Sequence, residues 1–212
     1  MKNVTLIFSN QTKKIKPLKN RNIMKTIVKT ALVVCIAFFA QSASAQNMDS
    51  KEKTVTVGGA AMYPSKNIIE NAMNSKDHTT LVAAVKAAGL VETLQGAGPF
   101  TVFAPTNEAF NKLPKGTVET LLKPENKAML SGILTYHVVS GKIDSKMIMD
   151  MIKKGNGKAE MKTVNGGMLT FTMSGNKIMI KDEKGGMSSI TIKDVYQSNG
   201  VIHVVDTVLM PK

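Results

Sequence analysis

The first half of the mature chain has hydrophobic positions at helical spacing. Four apolar residues fall on one helical face, and Gly89 directly after them is a typical helix stop. These residues are Leu81, Val82, Val85 and Ala88. The pattern predicts a helix that ends at Gly89.

Short strands and further helices follow. A predicted strand, Phe100 to Ala104, leads into Thr106, whose hydroxyl suits the N-cap of the next helix. Tyr136 to Val139 reads as another strand, and Asp144 is predicted to cap a helix that runs through Ile152.

The second half alternates apolar and polar residues with a period of two, which is typical of half-buried strands. Residues 169–173 show this alternation, and residues 177–181 return the chain as a second strand. Residues 190–196 and 201–205 form a predicted hairpin at Asn199-Gly200, where glycine and asparagine supply a positive φ. Because residues 201–205 are a continuous apolar run, we expect that strand to be buried on both faces. Helices first and antiparallel strands later indicate an α+β domain.

Four segments are predicted along the chain. Residues 1–23 precede a plausible start methionine and are interpreted as a mis-called start or an upstream extension. Residues 24–45 have the basic start, short apolar run and Ala-Ser-Ala ending of a secretory signal peptide cleaved after Ala45. Residues 46–62 are interpreted as a flexible linker, and residues 63–212 as one domain. We therefore expect a secreted or periplasmic protein with no stable membrane span after cleavage.

Charge and cysteine content narrow the function further. Eight of the 28 basic residues lie in the first 45 positions, which leaves 20 basic against 15 acidic residues and a net charge of +5. The mature chain retains no arginine and no cysteine, since Arg21 and Cys35 both precede Ala45. Lysines alone do not supply the bidentate contacts that nucleic-acid recognition favours, so no nucleic-acid partner is expected. A weak attraction to acidic polysaccharide fits this charge.

Three segments carry a family resemblance. Residues 101–110 read T-V-F-A-P-T-N-E-A-F, residues 198–206 read S-N-G-V-I-H-V-V-D, and residues 134–139 contain a Tyr-His pair. In this order and spacing they resemble the signature motifs of the fasciclin domain family. The resemblance implies a wedge-shaped β-sandwich of about seven strands with several short helices packed around it.

The resemblance also implies candidate binding residues. In animal members, adhesion has been ascribed to the Tyr-His segment and to an Asp-Ile pair before the second signature. Tyr136 and His137 match the first of these, and Asp194 matches the aspartate of the second, where Val195 replaces the isoleucine.

Catalytic and metal-binding chemistry has little support in the sequence. His137 and His203 lie in apolar surroundings and are interpreted as core histidines, while Asp182-Glu183 is interpreted as an exposed turn pair. No serine has the G-x-S-x-G context of a nucleophile elbow. The Met-x-Met-x-Met run at residues 147–151 has the spacing of a copper site, but on a helix its middle residue points away from the other two. We therefore predict no catalytic residue, no metal site and no cofactor.

The leading hypothesis is a non-catalytic adhesion or binding module that recognises an envelope polysaccharide, a matrix component or a surface protein. The alternative is a carrier of a small apolar ligand or cofactor, bound in a pocket between helices and sheet.

Overall fold

The computed structural model describes residues 52–212. The predicted leader segments, residues 1–23 and 24–45, lie outside this range. Within the range, two short 3₁₀ helices, Lys76–His78 and Pro124–Asn126, accompany seven α-helices. The α-helices are α1 Ile68–Ala72, α2 Thr79–Ala88, α3 Val91–Gln95, α4 Asn107–Asn111, α5 Thr117–Leu121, α6 Lys127–Tyr136 and α7 Ser145–Lys154.

Nine strands complete the described part of the chain. They are β1 Val55–Val57, β2 Ala60–Met62, β3 Phe100–Pro105, β4 Val138–Ser140, β5 Lys158–Lys162, β6 Met168–Ser174, β7 Lys177–Lys181, β8 Met187–Gln197 and β9 Gly200–Val205. Seven of them form one sheet in the order β4-β3-β9-β8-β7-β6-β5, with β3 and β9 parallel and the other neighbours antiparallel. This confirms the α+β class and the fold of about seven strands with short helices around them.

The long strand β8 joins the two halves of the sheet. Its first residues, 187–189, pair with β7, whereas residues 190–197 pair with β9. Register shifts interrupt the second pairing between Ile190 and Val195. Because such irregularities bend a strand and increase its twist, the sheet curves and becomes nearly barrel-like.

Two hydrophobic clusters lie on opposite faces of the central strands. The first packs α1, α2 and α6 against the sheet, and the second packs α7 against β5, β6 and β7. Val204 and Val205 are neighbours on β9 and belong to different clusters, which shows that the strand is covered on both faces. Every residue of this strand is buried. The predicted burial of this strand on both faces is confirmed.

The domain begins earlier than the sequence predicted. Residues 55–62, interpreted above as part of a flexible linker, form the antiparallel pair β1–β2, and Val57 and Met62 are buried in the first cluster. Gly58 and Gly59 both have positive φ and form the turn between the two strands. The linker interpretation is therefore wrong for these residues, because the Gly-rich stretch is a hairpin turn between two apolar segments.

Several local predictions are confirmed. Gly89 ends α2 in the left-handed conformation with φ of 72°, Thr106 accepts a hydrogen bond from the Ala109 N–H at 3.2 Å, and Asp144 accepts one from the Met147 N–H at 2.8 Å. The β8–β9 hairpin also forms. The reason given for it is wrong: positive φ occurs at neither Asn199 nor Gly200. Glycine is required at 200 because a Cβ there would collide with the carbonyl oxygen of Phe100.

Candidate functional site

Tyr136 is a buried residue at the end of a helix. It is the last residue of α6, not the start of a strand as the sequence predicted. Its hydroxyl donates to the Met168 carbonyl at 2.8 Å and accepts from the Glu183 N–H at 3.0 Å. Burial, reinforced by the nearby carboxylates of Glu183 and Asp182, raises the pKa of Tyr136 to about 12. The phenol therefore stays neutral and holds β6 to the turn after β7.

His137 is the C-cap of α6 and is also buried. Its Nδ1 lies 2.8 Å from the Ile133 carbonyl, and its Nε2 accepts a hydrogen bond from the Leu209 N–H at 3.0 Å. This pairing requires the tautomer with the proton on Nδ1. Burial lowers the pKa of His137 to about 4, although the Ile133 carbonyl and the Asp182 charge oppose the shift.

The burial of this pair argues against a direct surface contact, and it confirms the interpretation of His137 as a core histidine. Tyr136 is 0% exposed and His137 is 3% exposed. Side chains this deeply buried do not reach a macromolecular ligand in this conformation. The Tyr-His segment instead connects α6 to β6 and to the chain after β9.

Asp194, the third candidate, lies on the irregular part of β8 and is half-buried. It has a φ of 60°, which is uncommon for a residue with a side chain. Its carboxylate accepts the Ser145 N–H at 2.7 Å and also the Ser145 hydroxyl. Asp194 thus holds the first residue of α7, and it shares no hydrogen-bond partner with Tyr136 or His137.

The other two histidines are buried as well. His203 has its Nε2 2.9 Å from the Ile143 carbonyl, accepts the Asp194 N–H at Nδ1 (3.3 Å) and stacks on Phe103 with ring centroids 5.7 Å apart. His203 is fully buried, which confirms the interpretation as a core histidine, and this burial lowers its pKa. His78 bonds to the Ser75 hydroxyl at 2.9 Å through Nδ1, and its Nε2 has no hydrogen-bond partner.

The Asp182-Glu183 turn is more important than the sequence indicated. Asp182 is buried, and its carboxylate accepts N–H groups from Gly186 at 2.6 Å and Met210 at 2.9 Å. Glu183 accepts the Met168 N–H at 3.0 Å, and its hydrogen bonds to backbone lower its pKa. The interpretation as an exposed turn pair is therefore wrong: the two carboxylates hold the ends of nearby segments by bonding to backbone.

An apolar cavity lies between the helices and the sheet in the first cluster. Its volume is about 40 Å³, and its walls include Ile69, Leu81, Val102 and Ile202, with the ring of His78 as one of its few polar groups. Such a volume holds a guest of water size or a few atoms.

The outer face of strands β5 to β8 carries four lysines. Because paired residues on neighbouring strands point to the same side of a sheet, the register identifies the members of this face. Lys158 of β5 is paired with Thr172 of β6, which is paired with Met179 of β7. In the next row, Glu160 is paired with Thr170, which is paired with Lys181. At the other end of β7, Lys177 is paired with Ser174 of β6. Lys162 lies beyond Glu160 on the same strand and is also exposed. We call the surface formed by Lys158, Lys162, Lys177 and Lys181, with Thr170 and Thr172 between them, the lysine face.

Sequence reasoning missed the lysine face because it missed β5. The signal was present: K-A-E-M-K in β5 and K-I-M-I-K in β7 both alternate charged or exposed residues with buried apolar ones. The register between strands, which places the two sets on one surface, is not visible in the sequence.

Residues 52–212 contain neither a membrane-spanning helix nor a cluster of metal ligands. No helix in this range has the length and apolar character needed to cross a bilayer. Nor do three or more His, Cys, Asp or Glu side chains within it converge in a way that could hold a metal ion.

Comparison with known proteins places these observations in a family. A family model described as "Fasciclin domain" matches residues 76–211. Protein sll1483 of Synechocystis sp. is 42% identical over 191 residues, which is 89% of this chain and 99% of that protein. Immunogenic protein MPB70 of Mycobacterium bovis is 34% identical over 145 residues, or 66% of each chain. Among solved structures, a FAS1 domain pair from the insect cell adhesion molecule Fasciclin I has a TM-score of 0.62 at 15% identity, covering 75% of this chain and 58% of that one.

Proposed function

This chain belongs to the fasciclin domain family, and on that premise we propose that it is a non-catalytic adhesion or binding module. Its partner would be an envelope polysaccharide, a matrix component or a surface protein outside the cytoplasm. The predicted secretory signal at residues 24–45 supports export. The likeness of its fold to an insect cell adhesion molecule fits the same class of function.

The observation that carries the proposal is how the buried ionisable groups are used. His137, His203 and Asp182 bond to backbone groups, and Asp194 bonds to the first residue of α7. General acid–base catalysis requires such a group within reach of a substrate, with its proton free to move. Here these groups hold segments of the fold together, which supports recognition through the exposed surface.

Asp194 remains a proposed contact residue because part of its side chain is accessible. Tyr136 and His137 are better explained as residues that position the surrounding surface. A direct contact through Asp194 would have to use the carboxylate edge that Ser145 leaves free.

The alternative function, transport of a small apolar ligand, needs a larger space than the apolar cavity provides. The larger pocket beside Met149, Lys177 and Lys193, of about 310 Å³, has a partly polar and charged lining. Pockets for drug-sized ligands are about 300–1,000 Å³, whereas the apolar cavity measures about 40 Å³. A carrier role for the apolar cavity would therefore require the helices to move away from the sheet. The geometry favours surface recognition.

Co-sedimentation tests the proposal. The full chain is expressed, recovered in folded form and mixed with insoluble envelope and matrix material from the organism that produces the protein. We expect binding that saturates and that competing soluble envelope polymer reduces. If protein that unfolds cooperatively, and is therefore folded, shows no saturable binding, the proposal is contradicted. If mass spectrometry of the recovered protein shows a bound small molecule, the carrier role is favoured.

A further inference from the structure

The positive charge of the domain is concentrated in the C-terminal part of the described chain. Residues 52–126 carry seven lysines and seven acidic side chains, so this half is neutral. Residues 127–212 carry twelve lysines and seven acidic side chains, which is the whole +5 of the mature chain. Four of these lysines lie on the lysine face, where Glu160 is the acidic member of the strand rows.

Most lysines of this face are free to meet an external anion. Lys158 forms an ion pair with Glu160 at 3.3 Å, and both side chains are largely exposed. Lys162, Lys177 and Lys181 form no ion pair with any residue of the described range. Glu183, which lies beside Met168 at one end of the face, is already bonded to backbone N–H groups. The face therefore has about three uncompensated positive charges.

The spacing of these charges favours an extended polymer over a single small anion. Residues four apart on one strand are about 13 Å apart, and β5 and β7 are separated by about 10 Å. Lys158 and Lys162 show the first spacing, as do Lys177 and Lys181. No single phosphate or sulfate spans such distances, whereas charges repeated along a chain do.

The surface between the lysines suits a sugar polymer. Thr170 and Thr172 lie on β6, in the middle strand of the face, and are partly exposed. Their hydroxyls can donate to and accept from sugar hydroxyls and carboxylates. Exposed aromatic rings, which would favour insertion into a membrane interface or stacking on nucleic-acid bases, do not occur among the residues of these strand rows.

We propose that the lysine face is the binding surface for a linear acidic polysaccharide bearing carboxylate groups along its length. This inference rests on the proposed function and specifies its ligand class. Lys162, Lys177 and Lys181 would pair with successive carboxylates, and the threonines would bond to the sugar units between them. Each exposed pair contributes modestly, so affinity depends on several pairs forming together.

The test compares two triple variants of equal charge. The face variant changes Lys162, Lys177 and Lys181 to Gln. The control variant changes three exposed lysines of residues 52–126 to Gln, namely Lys86, Lys115 and Lys123. Both lower the net charge by the same amount, so a general loss of charge affects them equally. Circular dichroism and thermal unfolding establish that each variant is folded, and three pairwise combinations of the face changes provide further variants.

Binding of the full-chain protein to polygalacturonate is measured by calorimetry, with neutral dextran and phosphatidylglycerol vesicles as comparison probes. We expect the wild type to bind polygalacturonate in a salt-sensitive manner and not dextran. The face variant should bind about tenfold more weakly, and the control should change by less than about twofold. Equal weakening of both variants, or stronger binding to vesicles than to polygalacturonate, would overturn the proposal.

The polygalacturonate and co-sedimentation experiments together distinguish failure of this inference from failure of the proposed function. If the wild type ignores polygalacturonate but still sediments with envelope material, the lysine face is wrong as an acidic-polysaccharide site and the binding function stands. If it binds neither, both are wrong.

Discussion

The Nε2 of His137 accepts a hydrogen bond from the backbone N–H of Leu209 at 3.0 Å, across 72 positions of sequence. The other ring nitrogen lies 2.8 Å from the Ile133 carbonyl, so one buried imidazole joins the last turn of α6 to the chain after β9. The main role of the Tyr-His segment is therefore to stabilise the fold.

Replacing His137 by Gln should destabilise the protein. Glutamine does not satisfy the Ile133 carbonyl and the Leu209 N–H with the same geometry, so we expect the free energy of unfolding to fall by about 2 kcal/mol or more. Urea denaturation at neutral pH measures this loss. His78→Gln is the matched control: His78 makes one side-chain hydrogen bond, so its replacement should cost less. Equal losses would contradict the role assigned to His137.

The stability of the wild type should fall on mild acidification. The pKa of His137 is about 4 in the folded state against 6.5 ordinarily, so between these values the unfolded chain binds a proton that the folded chain does not. Stability is therefore fully present above about pH 6.5 and is lost as the pH falls towards 4. His137 alone contributes a loss of about 3 kcal/mol, and the lowered pKa values of His203 and His78, both caused by burial, act in the same direction.

Denaturation curves at several pH values check this dependence. His137→Gln should have a shallower dependence of unfolding free energy on pH in this window, because one of the titrating groups is gone. A wild type whose stability is constant from pH 6.5 to 4 would show that the imidazole is not buried as described.

Asp194 and Ser145 should be coupled. Asp194→Ala removes the acceptor of two hydrogen bonds at the start of α7 and should cost about 1–3 kcal/mol. Ser145→Ala should cost less, and the double variant should lose less than the sum of the two because the shared bond is already absent. A double-mutant cycle measures the coupling. If Asp194→Ala instead weakens ligand binding without changing stability, Asp194 is a contact residue and not a structural one.

Gly200→Ala should disrupt the β3–β9 pairing. The added Cβ would collide with the Phe100 carbonyl oxygen, a backbone atom of the neighbouring strand that has little freedom to move. We expect a loss of about 3 kcal/mol. Gly132→Ala in α6 is the control: its Cβ would meet the Asn165 side chain at an ordinary 3.5 Å, and alanine favours the helix by about 1 kcal/mol. Thermal unfolding should therefore shift in opposite directions in the two variants.

Features that depend on neighbours in sequence were predictable. Gly89, Thr106 and Asp144 act within one helical turn of their own positions, so the sequence carried enough information to place them. The same holds for the apolar run of β9 and for the alternation predicted at residues 169–173, in which Leu169 and Phe171 are buried but Met173 is exposed. The motif segments at residues 101–110 and 198–206 carried enough for the family and hence the fold.

The function of side chains in contact with distant segments was not predictable. The resemblance made Tyr136 and His137 candidate contact residues, but β6 and the chain after β9 cover them. The apolar surroundings of His137 in the sequence were the better guide to its burial. Asp182 and Glu183 looked like an exposed turn pair, and their backbone partners at 210 and 168 become neighbours only in the folded chain.

By itself, the sequence determined the class, the family and the ends of several elements, because capping, turn chemistry and periodicity act over a few residues. Tertiary structure alone decided which distant backbone groups the buried polar side chains bind and which lysines share a surface. Tyr136 is buried because β6 and the turn after β7 pack over the end of α6. The grouping of Lys162 with Lys181 depends on strand register. Both are set by contacts between segments that are distant in sequence.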